Sequence, residues 1–157
     1  MIYSSVVERA HFKLKLYQIC VDMVNEKLAM LQGLDKASQE AANNETKSSA
    51  GDKYETGRAM AHLEKERLAT QIETQAKLKK VLDQIDSAKT AETIGLGSLV
   101  QLGDAWYYLS VALGKVKLED KEIFCISPVA PIGKLLQGKK IGDKVSFQGE
   151  KVVEVVL

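Results

Sequence analysis

The sequence predicts an α+β protein, in which a long antiparallel helical hairpin precedes a small antiparallel β-sheet domain with one short helix. Helix-forming residues dominate up to about residue 90, and glycine, valine and aromatic residues recur at short intervals after it. Only two prolines occur in 157 residues, which leaves room for long uninterrupted helices because proline breaks helical hydrogen bonding. We therefore predict a helical hairpin over residues 1–90 and a β-rich domain over residues 91–157.

Two amphipathic helices are predicted in the first part of the chain. The first runs from about Ser5 to about Ala42, and its apolar residues recur at steps of three or four: Tyr17, Cys20, Val24, Leu28, Leu31 and Leu34. The second runs from about Lys53 to about Asp86, with a stripe made of Tyr54, Ala61, Leu68, Ile72, Leu78, Leu82 and Ile85. These narrow stripes are typical of a coiled-coil seam.

The stretch between the two helices, residues 43–52, is rich in Asn, Ser and Gly, which favour turns. A short turn pairs the helices antiparallel, in a hairpin roughly 45–55 Å long at about 1.5 Å per residue. Its tip is predicted near residues 43–55. Asp52 is a candidate N-cap for the second helix, because its carboxylate can accept from free first-turn amides.

The second part of the chain predicts short strands. Residues 98–102 and 106–111 flank Gly103-Asp104, a pair typical of a hairpin turn. Further strands are predicted at 123–126, 144–147 and 151–156, with a short helix at 132–136. Alternation along a strand sends Trp106 and Tyr108 to one face and Tyr107 to the other. We expect core packing on at least one face, and an exposed aromatic there could anchor a partner.

Composition and charge exclude several classes of protein. The net charge of +1 gives no overall attraction to nucleic acid, which argues against a DNA-coating role. Two distant cysteines, Cys20 and Cys125, do not form a secreted disulfide scaffold or a zinc-type spacing, and we interpret both as reduced core residues. The N-terminus does not have the pattern of a signal peptide, and no apolar run could span a bilayer. We expect a cytoplasmic protein.

The segment from Ser127 to Asp143 carries a specific pattern. Ser-Pro and an aliphatic residue are followed by a small residue and a base, an apolar pair, Gly-Lys, and then Gly-Asp before a strand. This resembles the C-terminal signature of Gre-type transcription elongation factors, with Ala130 in place of the second serine. The stretch from Thr46 to Arg58 also looks like the hairpin tip of a Gre-like subgroup. The family's architecture is a helical hairpin followed by an FK506-binding-protein-like sheet domain.

The resemblance implies a function that the protein performs on bacterial RNA polymerase. The sheet domain would dock at the rim of the polymerase's secondary channel, and the hairpin would enter the channel. Acidic residues at the tip would help to hold a Mg²⁺ ion in the polymerase active site, so that the polymerase cleaves its own backtracked RNA. The chain itself would not be an enzyme and would hold no cofactor of its own. We expect a monomer, with only indirect contact with nascent RNA or DNA.

The tip offers three acids, Glu45, Asp52 and Glu55. Carboxylates suit Mg²⁺, which prefers oxygen ligands. Tyr54 can match the tyrosine of the family's tip, but the family's acidic pair then falls on Lys47 and Ala50, or on Glu45 and Ser48 with an insertion. Asp52 is the candidate for a repositioned acid and metal helper. Each acid also has an ordinary explanation, as an N-cap, a solvated loop acid or a first-turn charge.

Candidate partner-binding residues lie near the predicted hairpin tip and in the signature segment of the sheet domain. They are Tyr54 and Arg58 near the tip, with Lys47 and Lys53 as further charges, and Lys134, Lys139, Lys140 and Asp143 in the signature segment. The alternative for these lysines is a solvated turn.

Three other functions stay open at this stage. The first is a channel regulator that does not stimulate cleavage, and the second is a structural or adaptor coiled-coil protein with a different partner. The third is a small enzyme, which would need a pocket with convergent polar groups. Prolyl isomerase activity is not expected, because it needs an aromatic-lined apolar pocket that Phe124, Phe147 and the Trp106–Tyr108 cluster do not supply.

Overall fold

Two long helices form the first part of the chain. The computed structural model describes residues 6–45 and 51–157, and the side chains at 42, 44–45 and 51–54 lie outside that description. Helix α1 covers Val6–Glu45, with 40 residues, and helix α2 covers Gly51–Asp83, with 33 residues. Both predicted helices are confirmed. The role of Asp52 as an N-cap stays a prediction, because its side chain lies outside the described residues.

The two helices run antiparallel where α1 starts and α2 ends. The Tyr17 hydroxyl, in the first half of α1, donates a hydrogen bond to the carbonyl of Leu82 at 2.9 Å. Leu82 lies one residue from the end of α2 and is buried. This bond joins positions 65 residues apart in sequence, so the chain must reverse direction between them.

The chain divides into two compact units. One contains the chain up to Val21 together with Val81–Leu157, and the other is the body of the hairpin, Asp22–Lys80. Within the hairpin body, Val24, Leu31 and Leu68 are almost completely buried, which is the seam that their spacing predicts. The boundary near residue 90 stays a prediction, while the first turns of α1 and the end of α2 belong to the same unit as the sheet.

The second part of the chain forms a six-stranded sheet in the order β3-β4-β2-β1-β6-β5. The strands are β1 Leu99–Leu102, β2 Ala105–Leu109, β3 Gly114–Leu118, β4 Lys121–Ile126, β5 Lys144–Ser146 and β6 Glu150–Val156, and helix α3 covers Pro131–Leu136 between β4 and β5. Strands β1 and β2 pair across Gly103-Asp104, and Gly103 has φ +58°. That hairpin is therefore confirmed.

The sheet is mixed, so the prediction of a purely antiparallel sheet is wrong in one place. Strand β2 runs parallel to β4, with Trp106 opposite Ile123. The cause is β3, a strand that the sequence pattern did not predict. It pairs antiparallel with β4 at the edge of the sheet, so the chain passes beyond β4 before it returns along it.

The two faces of the sheet bury different partners. One face packs against α3 in a core made of Ile94, Val100, Leu102, Tyr107, Leu109, Ile132, Leu136, Val145 and Val153. On the other face, Trp106, Tyr108 and Cys125 meet the start of α1, where Phe12, Leu16 and Cys20 are almost completely buried. Trp106 and Tyr108 thus lie on one face of the sheet and Tyr107 on the other, as alternation along the strand predicts.

Charged residues also join the start of α1 to the sheet. The Lys121 ammonium lies 4.4 Å from the ring centre of Trp106 and 5.2 Å from that of Phe12, close enough for cation–π attraction to both. Lys15 and Glu119 form an ion pair at 3.0 Å. Lys13, only 2% exposed, donates to the carbonyl of Lys89 at 3.2 Å. These contacts fix the first turns of α1 on the sheet domain.

Lys13 predicts a measurable pH dependence of stability. Burial lowers its pKa below the usual 10.5 and outweighs the opposing charge of Asp86. As pH rises through the lowered pKa, folded Lys13 loses its proton while unfolded Lys13 keeps it up to about 10.5. The free energy of unfolding of the wild type, relative to that of Lys13→Met, should therefore rise with pH in this alkaline window.

Urea unfolding from about pH 7 to about pH 10 measures this difference. Lys13→Arg is the matched control, because arginine stays protonated throughout the range, and it should show no such gain over Lys13→Met. A wild-type difference that is constant with pH would contradict the assignment of a buried, charged Lys13.

Candidate functional site

The segment from Ser127 to Asp143, called here the α3 segment, combines a fixed backbone with exposed side chains. The amide of Ala130 donates to the carbonyl of Ser127 at 3.0 Å, and Ala130 has an extended conformation just before the helix. Pro131 then starts α3, where its fixed φ suits the first helical position. Ile132, Gly133 and Leu136 are buried, so α3 is held on the sheet by its inner face.

The backbone atoms around position 133 explain why this residue of the pattern is glycine. A Cβ atom there would overlap the carbonyl oxygen of Ser127 and lie 2.9 Å from that of Pro128. Both neighbours are backbone atoms, which cannot move aside as a flexible side chain can. Gly133 therefore lets α3 approach the Ser127-Pro128 turn closely and sets the position of the residues that follow it.

The turn after α3 is fixed by backbone hydrogen bonds on both sides. The amide of Gly138 donates to Ile94, the amide of Ile94 donates to Lys139, and the amide of Gly142 donates to Val153, at 2.8–2.9 Å. The carboxylate of Asp143 accepts from the amide of Lys140 at 2.8 Å. Asp143 thus has a local structural role, and its prediction as a partner-binding residue stays a prediction.

Apolar and basic side chains project from this fixed backbone. Val129, Leu135 and Ile141 are 72%, 41% and 62% exposed. Lys134 and Lys140 are exposed, and Lys139 is half-buried. The sequence pattern pointed to the lysines and not to the three apolar residues, although an aliphatic residue after Ser-Pro is part of that pattern. Exposed apolar side chains beside lysines are compatible with a protein interface.

The structure places the tip residues at the facing ends of the two helices. Glu45 is the last residue of α1, and Asp52 and Tyr54 lie in the first turns of α2. The side chains of Glu45, Asp52, Lys53 and Tyr54, and the whole of Lys47, lie outside the described residues. Glu55 and Arg58 are exposed on α2. The predicted grouping of the tip acids therefore stays a prediction.

The aromatic cluster on β2 is part of the core. Trp106 and Tyr107 are 8% exposed and Tyr108 is completely buried, so the hypothesis that one of them is an exposed anchor is wrong. The reason is that both faces of β2 are covered, one by α1 and one by the α3 side. Burial raises the pKa of Tyr107 and Tyr108 above the usual 10.

An open depression of about 550 Å³ lies beside the start of β4. Three carboxylates line it, from Asp104, Asp120 and Glu122, together with Trp106 and Phe124. Within residues 6–45 and 51–157, no three His, Cys, Asp or Glu side chains are arranged to hold a metal ion. No helix in this part of the chain is long and apolar enough to cross a membrane.

Comparisons with known proteins gave a likeness to solved structures. No family model matches the chain, and no curated protein matches it. Among solved structures, the chain is similar to the structure of the transcription factor Gfh1, with 23% identity over 86% of this chain and 90% of that chain, and a TM-score of 0.35. A TM-score this low says nothing about function, so the function is inferred from the residues of the chain itself.

Gly133→Ala tests the close approach within the α3 segment. The added Cβ would overlap two backbone carbonyls, and such overpacking typically costs about 1–3 kcal/mol of unfolding free energy. We expect a loss of about 2 kcal/mol, measured by urea or thermal unfolding. The control is Gly33→Ala, which has open space around it on α1 and should stabilise the protein by about 0.5–1 kcal/mol. Equal stability of the wild type and Gly133→Ala would contradict the close packing.

Proposed function

We propose that this chain is a Gre-like transcription factor that binds bacterial RNA polymerase at its secondary channel and is not itself an enzyme. The observation that carries the proposal is the α3 segment, whose sequence resembles the Gre-type signature. Its glycine and its turn residues fix the backbone, and its remaining residues display Val129, Leu135 and Ile141 beside exposed lysines. This combination is expected of a preorganised docking surface, since a rigid surface loses little entropy on binding.

The length of the helices supports the second part of the proposal, insertion into a channel. At about 1.5 Å per residue, helices of 40 and 33 residues are roughly 50–60 Å long. A helical pair is only about 20 Å wide with its side chains, which suits a narrow passage. The exposed surface of α2 carries pairs such as Glu73–Lys77 at 3.3 Å, which keep the hairpin soluble without strong net charge.

The chemistry proposed for the tip is assistance to a polymerase-bound Mg²⁺ ion. One or two carboxylates can help to recruit a second Mg²⁺, which then activates a water for attack on the RNA phosphate. Asp52 is the first candidate. It lies in the first turn of α2. Glu45 and Glu55 are the other acids close to it in sequence.

A second candidate is a channel regulator that does not stimulate cleavage. The observation that favours it is the alignment of the tip, because with Tyr54 matched to the family's tyrosine the two acidic positions of the family fall on Lys47 and Ala50. Such a factor would bind the same site and block access to the channel or compete with a cleavage factor.

Transcript cleavage in stalled, backtracked elongation complexes distinguishes these functions. Polymerase from the same source is mixed with the protein and Mg²⁺, and the appearance of short 3′ RNA fragments is followed over time. Faster cleavage would support a cleavage factor. Co-elution with polymerase without faster cleavage would favour the non-cleaving regulator. If the protein neither accelerates cleavage nor co-elutes, the proposal fails and the adaptor coiled coil becomes the leading function.

Asp52→Asn tests the metal-assisting role. If the carboxylate helps to hold Mg²⁺, the neutral amide should reduce stimulated cleavage by roughly tenfold or more while polymerase affinity is unchanged. The matched control is Glu26→Gln, which removes one charge from an exposed position on α1 away from the tip. Cleavage at the wild-type rate with Asp52→Asn would exclude Asp52 as the metal helper.

Reversal of charge at Lys139 and Lys140 tests docking through the α3 segment. Asp143 accepts from the backbone amide of Lys140 rather than from its side chain, so the double substitution to Glu leaves the turn intact. We expect roughly tenfold weaker binding to polymerase, mostly through slower association at low salt. The control is the same double reversal at Lys115 and Lys117 on the edge strand β3. Equal weakening by both pairs would indicate only a general charge effect.

A further inference from the structure

Two thiols face each other between the start of α1 and strand β4. The sulfur atoms of Cys20 and Cys125 lie 3.6 Å apart, although the residues are 105 positions apart in sequence. Both cysteines are free, and they are 0% and 2% exposed. The reduced core cysteines that the sequence predicts are therefore present, and they are also in contact, which the sequence did not indicate.

The surroundings distinguish the two sulfur atoms. A hydrogen bond from the Cys125 thiol lowers the pKa of Cys20, and the Ser110 hydroxyl adds to this while burial opposes it. The pKa of Cys125 is raised, first by the same hydrogen bond and then by burial and the adjacent charge of Cys20. We assign the attacking role to Cys20 and the role of its partner to Cys125, whose sulfur atoms are in contact at 3.6 Å.

We propose that Cys20 and Cys125 form an oxidative modification site, at which a small two-electron oxidant of the peroxide class converts the facing thiols into a reversible disulfide. The contact between the two sulfur atoms carries this inference. A shift of about 1.5 Å brings sulfur atoms from 3.6 Å to the bonding distance of about 2.05 Å. The proposal does not depend on the polymerase-binding function.

The reaction proceeds in two balanced steps. The Cys20 thiolate attacks a peroxide oxygen, so that an S–O bond forms, the O–O bond breaks and hydroxide leaves, giving a sulfenic acid. The Cys125 sulfur, after losing its proton to that hydroxide, attacks the Cys20 sulfur; the S–S bond forms, the S–O bond breaks and a second hydroxide leaves. Protonation of that hydroxide by the proton of the original Cys20 thiol completes the balance. Two thiols lose two electrons in total, and hydrogen peroxide is reduced to two water molecules.

The disulfide would join the start of α1 covalently to β4. Phe12, Leu16 and the ion pair between Lys15 and Glu119 already hold this part of α1 on the sheet, so the bond would reinforce an existing contact and not rearrange the fold. It would also close a loop that contains most of α1 and all of α2. Because the closed loop is long, the loss of entropy in the unfolded chain is large.

Burial controls the rate of the reaction. An oxidant reaches the thiols only when the start of α1 moves off the sheet, since buried cysteines react slowly in the closed state. A small uncharged oxidant is therefore required, and the oxidation rate reports how often this contact opens. The product is then protected from reductants by the same burial.

The test uses the full chain, reduced and then exposed to hydrogen peroxide under native conditions. We expect a monomer that migrates faster on a non-reducing gel, has lost both titratable thiols in urea and is two hydrogen atoms lighter by intact mass. Its midpoint of thermal unfolding should rise by roughly 10 °C. Dithiothreitol in mild urea should reverse all four changes. Diamide, a small neutral oxidant specific for thiols, should give the same product.

Cys125→Ser is the matched control, because it keeps Cys20 in place and removes only its partner. It should give neither the faster band nor the shift in the unfolding midpoint. Cys20→Ser tests the same point from the other side, and circular dichroism verifies that both variants are folded. The proposal is overturned if the native wild type keeps both thiols, forms only intermolecular dimers, or is oxidised to sulfinic acid without an intramolecular bond.

Discussion

The contact between the first turns of α1 and one face of the sheet determines how the rest of this protein is organised. Phe12, Leu16 and Cys20 are almost completely buried there, and Lys121 lies between the rings of Phe12 and Trp106. A sheet with two apolar faces must cover both. Helix α3 covers one face of the sheet, and the start of α1 covers the other. The first turns of α1 therefore belong to the sheet domain, although the rest of α1 belongs to the hairpin.

The same contact explains the polar groups that are buried beside it. Lys13 loses favourable hydration there, and its bond to the Lys89 carbonyl replaces part of it. The Tyr17 hydroxyl donates to the carbonyl of Leu82 near the end of α2, and this carbonyl also accepts from the amide of Ile85. The two side-chain bonds therefore tie the first half of α1 to the end of α2 and to the segment that follows it.

Periodicity in the sequence was sufficient to predict most helices and strands, but it was insufficient to predict how the strands pair. The steps of three or four between Cys20, Val24, Leu28 and Leu31 predicted α1, and Gly103-Asp104 predicted the first hairpin. Strand β3 was missed because its exposed positions are lysines and because the turn after it uses Glu119 and Asp120, both with positive φ, instead of the usual Asn or Gly. Without β3, the parallel pairing of β2 with β4 could not be foreseen.

The candidate functional residues also divide into those that the sequence could identify and those that it could not. The signature of the α3 segment could be read from the sequence because glycine and turn residues there meet strict backbone requirements, as the overlap at Gly133 illustrates. The pairing of Cys20 with Cys125 could not, since nothing local relates residues 105 positions apart. Tip acids face no comparable constraint, because a turn at the end of a long hairpin tolerates many sequences. Under the proposed function, a change from Mg²⁺ assistance to simple obstruction of a channel would therefore need only a few substitutions at the tip, and the α3 segment and the contact between α1 and the sheet could stay unchanged.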